Sequence, residues 1–97
     1  MSQVDVANAP ENSRYEARIG GELAGFADYV LREGRIVFTH TEVDDAFEGQ
    51  GVGSALAQGA LDDVRRSGNR DVVPMCSFIK VWIDKHPDYA DLVADPV

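Results

Sequence analysis

A single cysteine, Cys76, stands among the 97 residues, so an internal disulfide framework is excluded. Only His40 and His86 accompany it as further soft metal ligands, and no structural zinc site is expected from so sparse a set. No apolar run approaches the roughly 20 residues that a membrane-spanning helix requires. The opening MSQVDVANAPENS lacks both the basic start and the apolar stretch of a secretory signal, which makes the cytoplasm the expected location. Basic residues are also scarce: nine oppose seventeen acidic ones, for a formal charge of −8. Such a field disfavours nucleic-acid binding, which depends on neutralising phosphates. It attracts amines and basic peptides, although it also serves solubility alone. Repeats and low-complexity segments are lacking as well.

What is present suits one small α/β domain. Residues 1–12 carry Pro, Asn and acids without periodicity and read as a flexible N-terminal tail, with the domain occupying residues 13–97. RYEARI alternates as a strand, Gly20-Gly21 marks a hairpin turn, and ELAGFADYVL forms the next strand. REGR turns the chain again. IVFTHTEV, rich in β-branched residues, is the strongest strand signal, and its pleat places Ile36, Phe38, His40 and Glu42 on one face. Val52, Leu56, Ala60 and Val64 then recur every four residues, predicting a helix of about four turns that Gly68-Asn69 ends. RDVVPMC reads as a short strand. SFIKVWIDKH returns to helix, with Phe78, Ile79, Trp82 and Ile83 on one side, and Pro87 stops it. The predicted order is β-β-β-α-β-α, with a mixed, mostly antiparallel sheet and two main helices.

Between the third strand and the first helix lies FEGQGVGSAL, with glycines at 49, 51 and 53. A Gly-rich turn feeding a helix start presents free backbone N–H groups at the positive end of the helix dipole, a natural anion site. A P-loop would need Lys followed by Ser or Thr after its last Gly, and Val52-Gly53-Ser54 offers no Lys. A Rossmann fingerprint would need a glycine that this register lacks, and a parallel βαβ start instead of three antiparallel strands. Spacing alone leaves a ligand-binding loop and a plain Gly-rich connection both open.

EGQGVGSAL with its upstream strand resembles the acetyl-CoA loop of the GNAT superfamily of N-acetyltransferases. That pattern is Arg or Gln, two residues, Gly, any residue, then Gly or Ala; Gln50, Gly51, Val52 and Gly53 match its core, while Glu48 stands at the Arg/Gln position. VVPMCSFIKVWIDKHPDYADLV is similar to the C-terminal signature of the very small, YjdJ-type GNAT-like proteins. Cys76, Phe78, His86, Pro87 and Tyr89 are in place there, and Ser77 replaces a proline. The resemblance covers about residues 14–93. It implies a minimal GNAT-like fold and acetyl-CoA as cosubstrate, with no metal. The acceptor is an amine, such as a lysine side chain or polyamine, that the acidic surface suggests is cationic.

The resemblance further implies that the pantetheine arm pairs with the strand ending at Thr41 to Val43. Val43, Gly49, Gln50, Gly51, Val52, Gly53 and Ser54 are then the expected coenzyme contacts, and Phe78 flanks the arm. Cys76 falls between the last strand and a helix start, a place that favours thiolate and suits uptake of the acetyl group or acid–base work. It is equally readable as a small buried apolar residue. His40, with an ordinary pKa near 6.5, is the candidate general base, or else a hydrogen-bonded histidine on a sheet face. Tyr89 could protonate the coenzyme thiolate or pack the tail. Two further readings stay open: a non-catalytic acetyl-CoA-binding sensor or interaction module, and a small interaction domain whose glycine loop is incidental. Oligomeric state is not legible.

Overall fold

Asp44 to Gln50 would be an ordinary connection were it not for where the sheet and helices place it. The computed structural model describes residues 3–94. Five strands form one sheet in sequence order: β1 (Asp5–Ala9), β2 (Arg14–Ile19), β3 (Glu22–Arg32), β4 (Arg35–Val43) and β5 (Asp71–Pro74). The first four are antiparallel to their neighbours, and β5 joins β4 in parallel. Helices α1 (Val52–Ser67) and α2 (Ser77–Lys85) complete the fold, with 3-10 turns at Pro10–Asn12, Asp45–Phe47 and Pro87–Leu92. The mixed, mostly antiparallel sheet with two main helices is as the sequence predicts. The element order, however, is β-β-β-β-α-β-α.

The additional strand is β1, which lies within the segment expected to be a flexible tail. Its five residues pair with β2 from Asp5↔Arg18 to Ala9↔Arg14. Val6 packs against α1, at a point where an added Cβ on Gly59 would come within 2.8 Å of it. Met1 and Ser2 of that expected tail lie outside the described residues, as do residues 95–97.

The amphipathic stripe of α1 is as its spacing predicts. Val52, Leu56, Ala57, Ala60, Leu61 and Val64 are buried, and Gly68 closes the helix in a left-handed cap with its N–H on Val64 O at 3.1 Å. That face packs on the inner side of the sheet over Tyr15, Ala17, Ala27, Tyr29 and Phe38. Each fully buried Leu there contributes about 1.5–3 kcal/mol. From α2, Ile79, Trp82 and Ile83 join the same core, whereas Phe78, expected beside them, is 42% exposed. The opposite side of the sheet carries Arg14, Glu16, Phe26, Asp28, His40 and Glu42 and is covered by no helix among the described residues.

Two bulges re-aim side chains within this frame. Between β2 and β3 the register passes over Ala24, which is fully buried. Between β3 and β4, Asp28 faces His40 and Tyr29 faces Phe38, leaving Thr39 without a partner. An extra residue in one strand reverses the alternation beyond it. Ile36 and Phe38 therefore point into the core, but His40 and Glu42 point out. The single face expected for all four residues does not form.

Candidate functional site: a notch where two strands part

Pairing of β4 with β5 runs from Arg35↔Asp71 to Phe38↔Pro74 and stops there. Cys76 N–H donates to Phe38 O at 2.8 Å, after which the chain turns away into α2. β4 continues to Val43, hydrogen-bonded on its β3 side as far as Gly25↔Val43. Beyond Phe38 no strand among the described residues pairs with β4 on that side, which leaves a notch between the end of β4 and the start of α2.

The start of α1 borders the same notch. Gly25 makes this approach possible, since a Cβ there would lie 2.7 Å from Glu42 O and 3.1 Å from Val52 Cγ1. The loop reaches the helix through Gly49 at φ +84° and Gly51 at φ +76°, left-handed conformations in which a Cβ is strained. Gly51 is the N-cap and brings no side chain to the helix end. The first intrahelical bond is Ala55 N–H to Gly51 O at 3.0 Å, so the N–H groups of Val52, Gly53 and Ser54 have no partner within the helix. The third glycine has a different reason. A Cβ on Gly53 would lie 2.8 Å from the Phe78 ring, so its bare side receives an aromatic ring from α2.

Cys76 is buried at the N-cap of α2, with its Sγ 3.2 Å from Thr41 Oγ1. His40 is on the other face of the sheet. Its side chain is 58% exposed, its Nε2 is 3.3 Å from Glu42 Oε1, and its ring lies 6.3 Å from that of Phe26. The structure thus gathers Val43, the 49–54 loop, Cys76 and Phe78 around one notch and leaves His40 outside it. Thr41, expected from the sequence only as part of the strand end that pairs with the arm, is the side-chain neighbour of Cys76. Its signal was hidden by the bulge at Thr39, which turns it inward. Glu48 caps the turn before the loop and is exposed.

Behind the notch, Trp82 Nε1–H donates to Ser54 Oγ at 3.0 Å. His86 stacks on the indole, with centroids 3.8 Å apart at 12°, and Tyr89 meets it edge-on at 4.9 Å and 67°. The Tyr89 hydroxyl donates to Asp62 Oδ1 at 2.8 Å, and that bond, with some burial, pushes its pKa up. Asp62 is ten residues beyond Val52, about 15 Å along the helix. Tyr89 is accordingly turned toward packing and away from the notch.

Two other depressions frame the picture. One of about 480 Å³ beside the notch is lined by Glu42, Val43, Asp44 and Asp45. The other, about 270 Å³, lies at the far end of α1 and includes Asn8, Tyr15, Tyr29, Asp63 and Arg70. Its hydroxyls already have internal partners: Tyr15 donates to Asp63 and Tyr29 to Asn8, each at 2.7 Å. Among the described residues, no three His, Cys, Asp or Glu side chains group as a metal site, and no helix is long and apolar enough to cross a membrane.

Comparison with known proteins bears on the family and the fold. The family model of GCN5-related N-acetyl-transferase matches residues 14–92. The solution structure of a GCN5-like protein from Staphylococcus aureus superposes with a TM-score of 0.70 at 23% identity, covering 100% of this chain and 94% of that one. A ribosomal-protein-alanine N-acetyltransferase from Brucella melitensis biovar Abortus superposes with a TM-score of 0.58 at 22% identity, over 87% of this chain but only 62% of that one. At these identities the two structures establish likeness of fold. No curated protein matches the sequence.

Proposed function

The chain belongs to the GCN5-related N-acetyl-transferase family, and from that premise we propose that it binds acetyl-CoA in the notch and transfers the acetyl group to an amine. The observation that carries the proposal is the parting of β4 from β5 beside an uncapped helix start. Backbone N–H groups of Val52, Gly53 and Ser54 suit a diphosphate, and a Cβ built on Gly49 or Gly51 meets nothing within 4 Å, so the approach is clear. The β4 edge up to Val43 suits an extended arm that adds like a strand. Phe78 lies between these two regions over Gly53. The acetyl group is supplied as a thioester by the cosubstrate. Transfer needs a neutral amine at the carbonyl and a proton for the departing sulfur.

Cys76 is the notch group with chemistry to offer, and Thr41 Oγ1 holds its sulfur in place. Two roles fit it: carrying the acetyl group as a thioester, or handing a proton to the leaving thiolate. His40, paired with Glu42, is the candidate base for an amine arriving over the exposed sheet face. Carboxylates at Glu42, Asp44 and Asp45 beside the notch favour a cationic acceptor.

The reading is tested by calorimetric titration with acetyl-CoA, alone and with Gly51→Asp. Micromolar binding is expected, and the variant should lose it by at least about 100-fold, since it adds a charge and a Cβ strained at positive φ. Equal binding by both proteins would remove the loop from the site. For Cys76, intact-mass analysis after incubation with acetyl-CoA separates the roles. An acetyl adduct absent from Cys76→Ala marks a carrier, whereas no adduct together with slowed turnover marks a proton donor. Full turnover by Cys76→Ala ends both.

A non-catalytic acetyl-CoA-binding module is the second reading. One observation favours it: Cys76 and His40 lie on opposite sides of β4. Amine acetylation above the buffer rate that Gly51→Asp abolishes would exclude it.

A further inference from the structure

The first turn of α1 is tied to α2 by one polar bond, from Trp82 Nε1–H to Ser54 Oγ at 3.0 Å. An indole nitrogen only donates, so Ser54 must accept here. A hydroxyl carries a single proton, and acceptance from Trp82 directs that proton away from the indole. Ser54 is also the third residue of α1, alongside the N–H groups that have no intrahelical partner.

The indole itself is held by two further rings. His86 stacks on one face at 3.8 Å, and Tyr89 closes on it edge-to-face at 4.9 Å. His86 is fixed in turn by a bond of 2.7 Å between its Nδ1 and Trp82 O. A carbonyl accepts only, so Nδ1 is the donor. The direction of the Trp82 N–H is therefore set by packing, and it reaches Ser54 across the helix interface at no further cost in ordering.

We propose that Trp82 is a positioning residue for the coenzyme diphosphate, acting through the Ser54 hydroxyl. By donating to Ser54 Oγ it fixes the hydroxyl on the helix start with its proton free for a phosphate oxygen. The chain thereby gains a side-chain donor in addition to the backbone donors of the loop. This inference rests on the coenzyme reading given above.

Trp82 is the chain's one tryptophan. Expression in a tryptophan auxotroph fed β-(3-benzothienyl)alanine replaces its N–H by sulfur and keeps the ring shape. Five proteins are titrated with CoA by calorimetry: native, benzothienyl, Ser54→Ala, Ser54→Ala with benzothienyl, and Ser54→Thr. Ser54→Ala is expected to weaken binding about 10-fold, and loss of the indole N–H about 3- to 10-fold. The combined protein should bind no more weakly than Ser54→Ala alone, and Ser54→Thr should restore near-native affinity. Losses that multiply in the combined protein would mean that Trp82 acts through general packing, and the proposal fails. It fails equally if neither single change alters affinity. Absence of CoA binding by the native protein would instead overturn the coenzyme reading itself.

Discussion

Thr39 is passed over where β4 pairs with β3, and the side chains that follow it change sides. The sequence shows His40 in an alternating strand and cannot show an extra residue, because β-branched residues before and after it suit either register. That is why His40 was expected in line with Phe38 and is found beside Glu42 on the exposed face. The glycine loop was legible for the opposite reason. Positive φ at Gly49 and Gly51 demands that residue type, so spacing alone marks the backbone. The role of Gly53 was not legible, since it depends on a Phe78 ring arriving from another helix. Tyr15 offers a titration at the same scale. It is buried and donates to Asp63, and burial followed by that bond pushes its pKa well above the usual tyrosine range. The folded state then keeps a proton that the unfolded chain releases above about pH 10, so stability is full below that pH and falls as pH rises through it. Tyr15→Phe should cost about 1–2 kcal/mol at pH 7 in urea unfolding. Above pH 10 its stability should fall less steeply than that of the native protein. Some slope should persist, because Tyr29 and Tyr89 are shifted the same way. Parallel pH profiles for the two proteins would show that Tyr15 is not the responsible group.

At the scale of elements, the two hairpins and both helices were readable from turn residues and periodicity, and β1 was not. DVANA is short, and its burial pattern is mostly exposed, so it lacks the alternation that marks RYEARI. What makes it a strand is the β2 edge beside it and the close seat of Val6 on Gly59, both set by tertiary structure. Gly59 measures that contact. Replacing a mid-helix glycine by alanine normally gains about 1 kcal/mol. Here the new Cβ would come within 2.8 Å of both Val6 Cβ and Cγ1, so β1 must shift. Gly59→Ala should therefore destabilise by about 1–2 kcal/mol, as overpacking does. In a Val6→Gly background, which removes both close atoms, the same substitution should stabilise by about 1 kcal/mol. The quantity to measure is its effect on unfolding free energy in each background. The same sign in both would mean that β1 does not press on α1.

Across the whole molecule, composition bounded the class and the two C-terminal and loop motifs pointed to the family, while the notch was invisible until β4 and β5 were seen to part. That parting belongs to the one pairing in the sheet between strands distant in sequence. β1 to β4 follow one another with short connections, but β5 reaches β4 only after residues 44–70, which include α1. Closing such a crossover costs more chain entropy than closing a two-residue hairpin, and parallel pairing is slow to form. The antiparallel strands should thus gain protection early, and β5 late, when refolding is sampled by pulsed hydrogen exchange. Protection of Val72 and Val73 at the same rate as Tyr15 and Ala27 would contradict this order. If the order holds, the notch proposed as the coenzyme site is a product of the final folding step. A chain still leaving the ribosome, or one halted before the crossover closes, would own most of its sheet and none of its binding capacity, and ligand affinity would report completed folding and nothing earlier.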